Sequence, residues 1–264
     1  MTVKPFQWKI FFILLGASML GLIAVLPYSL ALQANALESM PLPLPLGVVL
    51  LIQVLENAVL FGLVIGIGMW TANRTGLGVP ILEGWLAGNP VNQKIRGILI
   101  PSIVIGLIAS VAIILLDVLV FGPMITAQLG GQAEALNLQS AQPSAWKGLL
   151  ASFYGGIDEE ILLRLGLMSI LAWLGKFISR TLDGNPSSAV LWIANIAAAL
   201  LFGMGHLPAT ALMIPLTPLV VARAILLNGL AGIGFGWLYW KRGLESAMLS
   251  HFSADIVLHV LLAL

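Results

Sequence analysis

Seven long apolar stretches constrain the fold of this chain more than any other feature of its sequence. Each is long enough for a helix that crosses the hydrocarbon core of a bilayer, which takes about 20 mostly apolar residues. The chain is 59% hydrophobic and only 9% charged, whereas charged residues make up about 25% of a typical soluble domain. We therefore predict an all-α integral membrane protein of about seven transmembrane helices, built as a single domain over residues 1–264. The predicted spans are 10–32, 47–70, 97–121, 147–175, 187–213, 217–240 and 244–264.

Basic residues near the ends of these spans fall almost entirely on one side of the predicted membrane. That side holds Lys4, Lys9, Arg74, Lys94, Arg96, Lys176, Arg180, Lys241 and Arg242. The opposite side holds Lys147. The positive-inside rule then predicts a multi-pass protein with a cytoplasmic N-terminus, placed in the cell membrane if the source is bacterial. The first apolar stretch is too long for a signal peptide, so we expect an uncleaved helix. We expect the lipid bilayer as a partner but no nucleic acid, because the net charge of the chain is only +1.

The fourth predicted span carries charges that lipid normally excludes. The stretch "YGGIDEEILLRLGLM", residues 154–168, contains Asp158, Glu159, Glu160 and Arg164. A charge at the centre of a bilayer costs about 2.5–3.5 kcal/mol on insertion scales, so such groups usually face the bundle interior. Glu160 and Arg164 are four residues apart, on one helix face, and are predicted to form an ion pair. Glu159 lies about 100° further round the helix and can face a polar cavity.

All three histidines lie in two other predicted spans, within "FGMGHLP" (His206) and "HFSADIVLH" (His251 and His259). At 1.5 Å per residue, Glu159 and His251 each lie about 18 Å into the bilayer, with His206 one or two turns further out. His251, Asp255 and His259 share one helix face, although we expect His259, near the chain end, to be interfacial. Glu159, His206, His251 and Asp255 together predict a polar site inside the helix bundle.

A carboxylate and a histidine around a water molecule are sufficient to hydrolyse an amide. The glutamate acts as the general base, while a second histidine and a neighbouring polar group stabilise the oxyanion. The same groups, Glu159, His206 and His251, could instead bind a divalent metal such as Zn²⁺. The sequence leaves both forms open and identifies no certain cofactor.

The three polar stretches together resemble the motifs EExxxR, FxxxH and HxxxN/D of the CAAX-prenyl-protease and bacteriocin-processing family (CPBP, or Abi). The order, the spacing and the placement on three separate spans all match, across roughly 145–264, which would form the family core. Residues 1–144 would supply N-terminal spans of no particular family. The matching stretches are "EEILLR" (Glu159, Glu160, Arg164), "FGMGH" (Phe202, His206) and "HFSAD" (His251, Asp255).

The resemblance implies an intramembrane endopeptidase that acts on membrane-associated proteins or peptides, as in CAAX-type or leader-peptide processing. The family is commonly labelled metalloprotease, and a glutamate-dependent, metal-free mechanism is the competing interpretation. The resemblance implies the following roles: water activation by Glu159 and His206, oxyanion stabilisation by His251 and Asp255, and support by Glu160, Arg164 and Phe202.

One position departs from the pattern of the eukaryotic-type CAAX enzymes, which carry Asn where this chain has Asp255. An ionised aspartate cannot donate a hydrogen bond to an oxyanion. Asp255 would therefore be protonated, orient His251 or bind a metal.

Two other classes of protein remain open from the sequence. A non-catalytic membrane partner, such as a bacteriocin-immunity protein, would keep its function without Glu159. A proton-coupled transporter would also bury Glu and His, but it would favour internal repeats and broken helices in both halves, which the sequence does not display.

Overall fold

A computed structural model describes residues 5–34, 37, 44–130 and 143–264. These residues are almost entirely helical, and six of their helices are long and apolar enough to cross a membrane. The prediction of an all-α membrane protein with about seven spans is therefore confirmed. The helices are α1 (Trp8–Leu32), α2 (Leu46–Ala72), α3 (Pro80–Leu86), α4 (Asn92–Leu116), α5 (Gly122–Leu129), α6 (Ala145–Phe153), α7 (Ser169–Gly175), α8 (Ser188–Gly205), α9 (Leu207–Ala211), α10 (Pro218–Arg242) and α11 (Leu244–Asp255).

Several of these helices run on into their neighbours. A π-helical turn, Asp117–Phe121, joins α4 to α5 and extends the third span from the predicted 97–121 to Asn92–Leu129. A second π-helical turn, Ile256–Val260, continues α11. The connection after Gly130, residues 131–142, lies outside the described residues, as does the segment around 38–43.

The remaining predicted span, 147–175, is helical throughout but is not a regular α-helix. It consists of α6, two π-helical segments (Tyr154–Glu159 and Ile161–Met168) and α7. We call this run the central helix. Its ionisable residues explain why apolar composition alone identifies six spans rather than seven.

The central helix packs against α1, α2, α8 and α11. Its side chains Ile161, Leu165 and Met168 are fully buried, in one cluster with Phe61 of α2 and Phe235 of α10. Three of the four charged side chains of this stretch, Asp158, Glu160 and Arg164, are buried inside this core.

Small residues allow the surrounding helices to approach closely. A Cβ atom added to Gly203 of α8 would lie 2.6 Å from Ile225 Cα of α10. Similarly, a Cβ on Gly106 of α4 would collide with the backbone carbonyl of Ser250 in α11. Close backbone contact at small residues is the usual way in which membrane helices associate.

Polar contacts join the bundle near its two ends. Arg223 of α10 pairs in bidentate fashion with Asp117, with Nε–Oδ1 and Nη2–Oδ2 distances of 2.6 and 2.7 Å. At the other end, Glu245 accepts hydrogen bonds from the backbone N–H groups of Ile81 and Leu82 at the start of α3. These contacts fix α10 and α11, the helices that hold part of the site.

Candidate active site

Glu160 and Arg164 form the predicted ion pair of the central helix. Arg164 Nη1 lies 3.1 Å from Glu160 Oε1, and the two side chains are 1% and 0% exposed. Arg164 Nη2 donates a hydrogen bond to the carbonyl of Gly232 in α10 at 2.9 Å. The guanidinium also lies 5.2 Å from the ring centroid of Phe202 and 5.6 Å from that of Phe235. The pair therefore connects the central helix to α8 and α10.

His251 of α11 is held by the same carboxylate. Its Nδ1 lies 2.8 Å from Glu160 Oε1. Because an ionised carboxylate only accepts hydrogen bonds, Nδ1 is the donor. The imidazole also stacks on Phe235, with ring centroids 4.7 Å apart and an interplanar angle of 22°. These contacts fix the orientation of the ring and leave Nε2 directed away from Glu160.

Two further carboxylates face this second nitrogen. His251 Nε2 lies 3.6 Å from Glu159 Oε2 and 3.6 Å from Asp255 Oδ1. The sequence predicted similar depths for Glu159 and His251, and this contact agrees with it. The Glu159 side chain is 22% exposed, whereas Glu160 is 0% exposed. Neighbouring glutamates thus occupy different environments, and Glu159 is the accessible one.

Two glycines of the central helix make this approach possible. A Cβ on Gly155 would collide with Asp255 Oδ2 and would lie 3.2 Å from His251 Nε2. A Cβ on Gly156 would lie 3.0 Å from Phe252 Cβ. Both glycines lie in the π-helical segment Tyr154–Glu159, and π-helical turns inside helices are frequent at functional sites.

His206 lies at the C-terminal end of α8, next to the cluster but not in contact with Glu159. Its Nδ1 is 2.9 Å from the Phe202 carbonyl, which can only accept, so the neutral ring keeps a lone pair on Nε2. The Phe202 ring separates the two histidines, with centroids 4.7 Å from His206 and 5.5 Å from His251. No hydrogen bond or ion pair links His206 to Glu159 among the residues that the structure describes.

The residues predicted as possible metal ligands are Glu159, His206 and His251. In the described ranges, no group of three or more His, Asp or Glu side chains could hold a metal ion. Glu159, His206 and His251 do not form such a group, and the Phe202 ring contacts both imidazoles. The arrangement of these donors does not fit a metal in this conformation.

The structure adds two residues that the sequence analysis did not place in the site. His259 Nε2 lies 3.9 Å from Asp255 Oδ1, and His259 Nδ1 lies 3.3 Å from the Tyr28 hydroxyl of α1. The expectation of an interfacial His259 missed this contact, although the side chain is 37% exposed. The helical spacing from Asp255 was the signal for His259. Nothing in the sequence marks Tyr28, which is 231 residues away.

Asp158, the fourth ionisable residue of the central helix, lies outside this cluster. Its side chain is fully buried against α1, where a Cβ on Gly21 would collide with Oδ2. The presence of three acidic residues in a row therefore does not mean that all three share one environment.

Residues 141–257 match the family model described as type II CAAX prenyl endopeptidase Rce1-like. The match contains all three motifs, so the resemblance to the CAAX-protease family that the sequence suggested is confirmed. Comparison with curated proteins and with solved structures gives no match.

Proposed function

We propose that this chain, whose residues 141–257 match the Rce1-like family of type II CAAX prenyl endopeptidases, is an intramembrane endopeptidase. In this proposal, a water molecule activated by Glu159 hydrolyses a peptide bond of a membrane-associated protein or peptide. The observation that carries it is the unequal pair of glutamates: Glu160 is fully buried and bound to Arg164, whereas Glu159 beside it is partly accessible.

Glu159 suits the role of general base. A general base must reach the water whose proton it removes. Glu160 cannot serve, because Arg164 and His251 both bind its carboxylate. Glu159 takes up the water proton as the oxygen attacks the scissile carbonyl carbon. When the C–N bond breaks, Glu159 returns that proton to the leaving nitrogen.

His251 suits the stabilisation of the oxyanion. Its Nδ1–H is directed to Glu160, and in this proposal the ring also carries a second proton, so that Nε2–H lies next to Glu159. A hydrogen-bond donor fixed in a water-poor site stabilises a developing negative charge without reorganisation. Glu160 and Phe235 act as positioning residues, because they hold the imidazole rigid from its edge and its face.

His206 and Phe202 suit the other side of the bound water. The Nε2 lone pair of neutral His206 can accept a hydrogen bond from a water molecule, and the Phe202 carbonyl holds the tautomer that makes this possible. The Phe202 ring sets the separation of the two imidazoles.

The substrate class we propose is the one in the family description, the C-terminal peptide of a prenylated protein. Leader peptides of membrane-bound precursors are the second class.

The test is cleavage of a prenylated C-terminal peptide by the purified protein in lipid vesicles, with Glu159→Gln and Glu56→Gln compared. Glu56 is an exposed glutamate of α2, so its substitution removes a carboxylate away from the cluster. Glu159→Gln should lower the turnover by about 10²–10⁴-fold, with an unchanged thermal midpoint, and Glu56→Gln should retain activity. Normal cleavage by Glu159→Gln would reject the proposal and favour a non-catalytic membrane partner.

The same preparation addresses the metal question. Turnover that persists in a chelator supports a water held by Glu159 and the histidines. Loss of turnover that Zn²⁺ restores supports a metal site formed in another conformation.

A further inference from the structure

Tyr28 and His259 form a pair on the far side of Asp255 from His251. Asp255 Oδ1 lies 3.6 Å from His251 Nε2 and 3.9 Å from His259 Nε2, so one carboxylate oxygen faces two imidazoles. The Tyr28 hydroxyl lies 3.3 Å from His259 Nδ1. The two aromatic rings also meet edge to face, with centroids 5.6 Å apart. Tyr28, His259, Asp255 and His251 thus form a continuous row of neighbouring side chains from α1 to the centre of the site.

The contacts of His259 with Tyr28 and Asp255 favour one tautomer of its ring. His259 Nε2 lies 3.9 Å from Asp255 Oδ1, which is too far for a hydrogen bond, but an ionised carboxylate at this distance attracts a hydrogen on Nε2, so we assign the hydrogen to that nitrogen. Nδ1 of the neutral ring is then an acceptor, and the Tyr28 hydroxyl donates to it. A second group that fixes the tautomer of a functional histidine is a common device in enzyme and metal sites.

The central helix packs closely against the backbone of His259 and against Asp255. A Cβ on Gly148 of the central helix would collide with the His259 carbonyl and would lie 3.1 Å from His259 Cβ. Asp255 is enclosed from the other side by Gly155, whose added Cβ would meet Oδ2. The charged groups of the cluster around Asp255 are Glu159, Glu160 and Arg164 of the central helix, and His251 of its own helix.

We propose that Tyr28 and His259 are positioning residues that hold the Asp255 carboxylate between two imidazoles by electrostatic attraction, so that Asp255 orients His251. This inference rests on the proposed function. It selects one of the three roles that the sequence left open for Asp255, the orientation of His251, and it excludes an oxyanion donor, because an ionised carboxylate cannot donate a hydrogen bond.

Both residues lie outside the family match, which ends at residue 257. Tyr28 belongs to α1, in the half of the chain that carries no motif. The inference therefore gives the N-terminal helix a role in the site.

The first experiment needs no substrate. The chain has three histidines, so ¹⁵N-histidine labelling in detergent gives resolvable ring-nitrogen signals. Wild-type His259 should be the Nε2–H tautomer, and Tyr28→Phe should shift its Nδ1 signal. Tyr239→Phe is the matched control, because it removes a buried hydroxyl that bonds Ser169 instead; it should leave His259 unchanged. An Nδ1–H tautomer in the wild type would overturn the proposal.

The second experiment is a double-mutant cycle on peptide cleavage. Tyr28→Phe and His259→Leu should each lower kcat by about tenfold, the effect of losing one hydrogen bond or close electrostatic contact, with KM little changed. His259→Gln, whose amide can donate in place of Nε2–H, should recover part of the loss. In an Asp255→Asn background, Tyr28→Phe should have no further effect, and a full additional loss there would overturn the proposal.

The two experiments separate the possible failures. If no variant and no wild-type preparation cleaves a peptide, the proposed function fails. The NMR comparison still decides the Tyr28–His259–Asp255 arrangement in that case, because Asp255→Asn should shift the His259 Nε2 signal whether or not the protein is an enzyme.

Discussion

Glu160 and His251, 91 residues apart in the sequence, are joined by a 2.8 Å hydrogen bond between Oε1 and Nδ1. The same oxygen also forms the ion pair with Arg164, whose Nη1 lies 3.1 Å away. One buried carboxylate therefore links the central helix to α11 and determines which nitrogen of His251 faces Glu159. The buried ion pair and the proposed general base are therefore neighbouring residues, and substitutions can separate their effects on stability and on cleavage.

Substitution by glutamine should lower the free energy of unfolding at Glu160 but not at Glu159. Glu160→Gln removes the charge that compensates Arg164 in a dry interior, a loss of about 3–5 kcal/mol in the free energy of unfolding. Glu159 is partly exposed and lies 3.6 Å from its partner His251, so Glu159→Gln should change the free energy of unfolding little. Thermal unfolding of both variants in detergent measures the difference, and equal midpoints would contradict the buried pair.

Arg164 should be more sensitive to its shape than to its charge alone. Arg164→Ala leaves Glu160 unpaired and should cost about 3–5 kcal/mol. Arg164→Lys keeps the charge but loses the planar fork that reaches both Glu160 and the Gly232 carbonyl. We expect the lysine variant to recover only part of the stability. An unchanged unfolding midpoint for Arg164→Ala would mean that water reaches the pair.

Gly155 should tolerate no side chain. A methyl group there would meet the Asp255 carboxylate and His251 Nε2, so Gly155→Ala should abolish cleavage and lower stability. The control is Gly62→Ala in α2, where an added Cβ has no neighbour within 4 Å. That variant should be neutral or more stable, by about 0.5–1 kcal/mol, because alanine favours a helix over glycine. Equal activity of the two variants would show that the central helix lies further from α11.

The topology should follow the basic residues. Reporter fusions after residues 90 and 182 should report the cytoplasm, and fusions after residues 36 and 264 the opposite side, because the predicted cytoplasmic loops carry nearly all of the Lys and Arg. The critical fusion is the one after residue 264. A cytoplasmic C-terminus would mean that the central helix, with its ionisable residues, does not cross the bilayer.

Local features of the sequence predicted the helices and one contact within them. The predicted limits of the first two spans, 10–32 and 47–70, differ from α1 and α2 by at most two residues at each end. Hydrophobicity along a single segment is enough for this. The Glu160–Arg164 pair was equally accessible, since both residues lie within one turn of one helix.

Tertiary packing decided the partners of the site residues. His251, and not His206, contacts Glu159, because contacts between helices depend on their rotation and tilt, which a single sequence does not contain. The π-helical segments of the central helix alter that rotation, and the Phe202 ring occupies the space between the two imidazoles. Tyr28 and His259 meet for the same reason: α1 packs beside the central helix, so residues 231 positions apart become neighbours. The sequence by itself determined which polar groups had to be kept out of lipid, since the cost of burying charge acts on each residue separately. Only the assembled bundle determined which of them face one another.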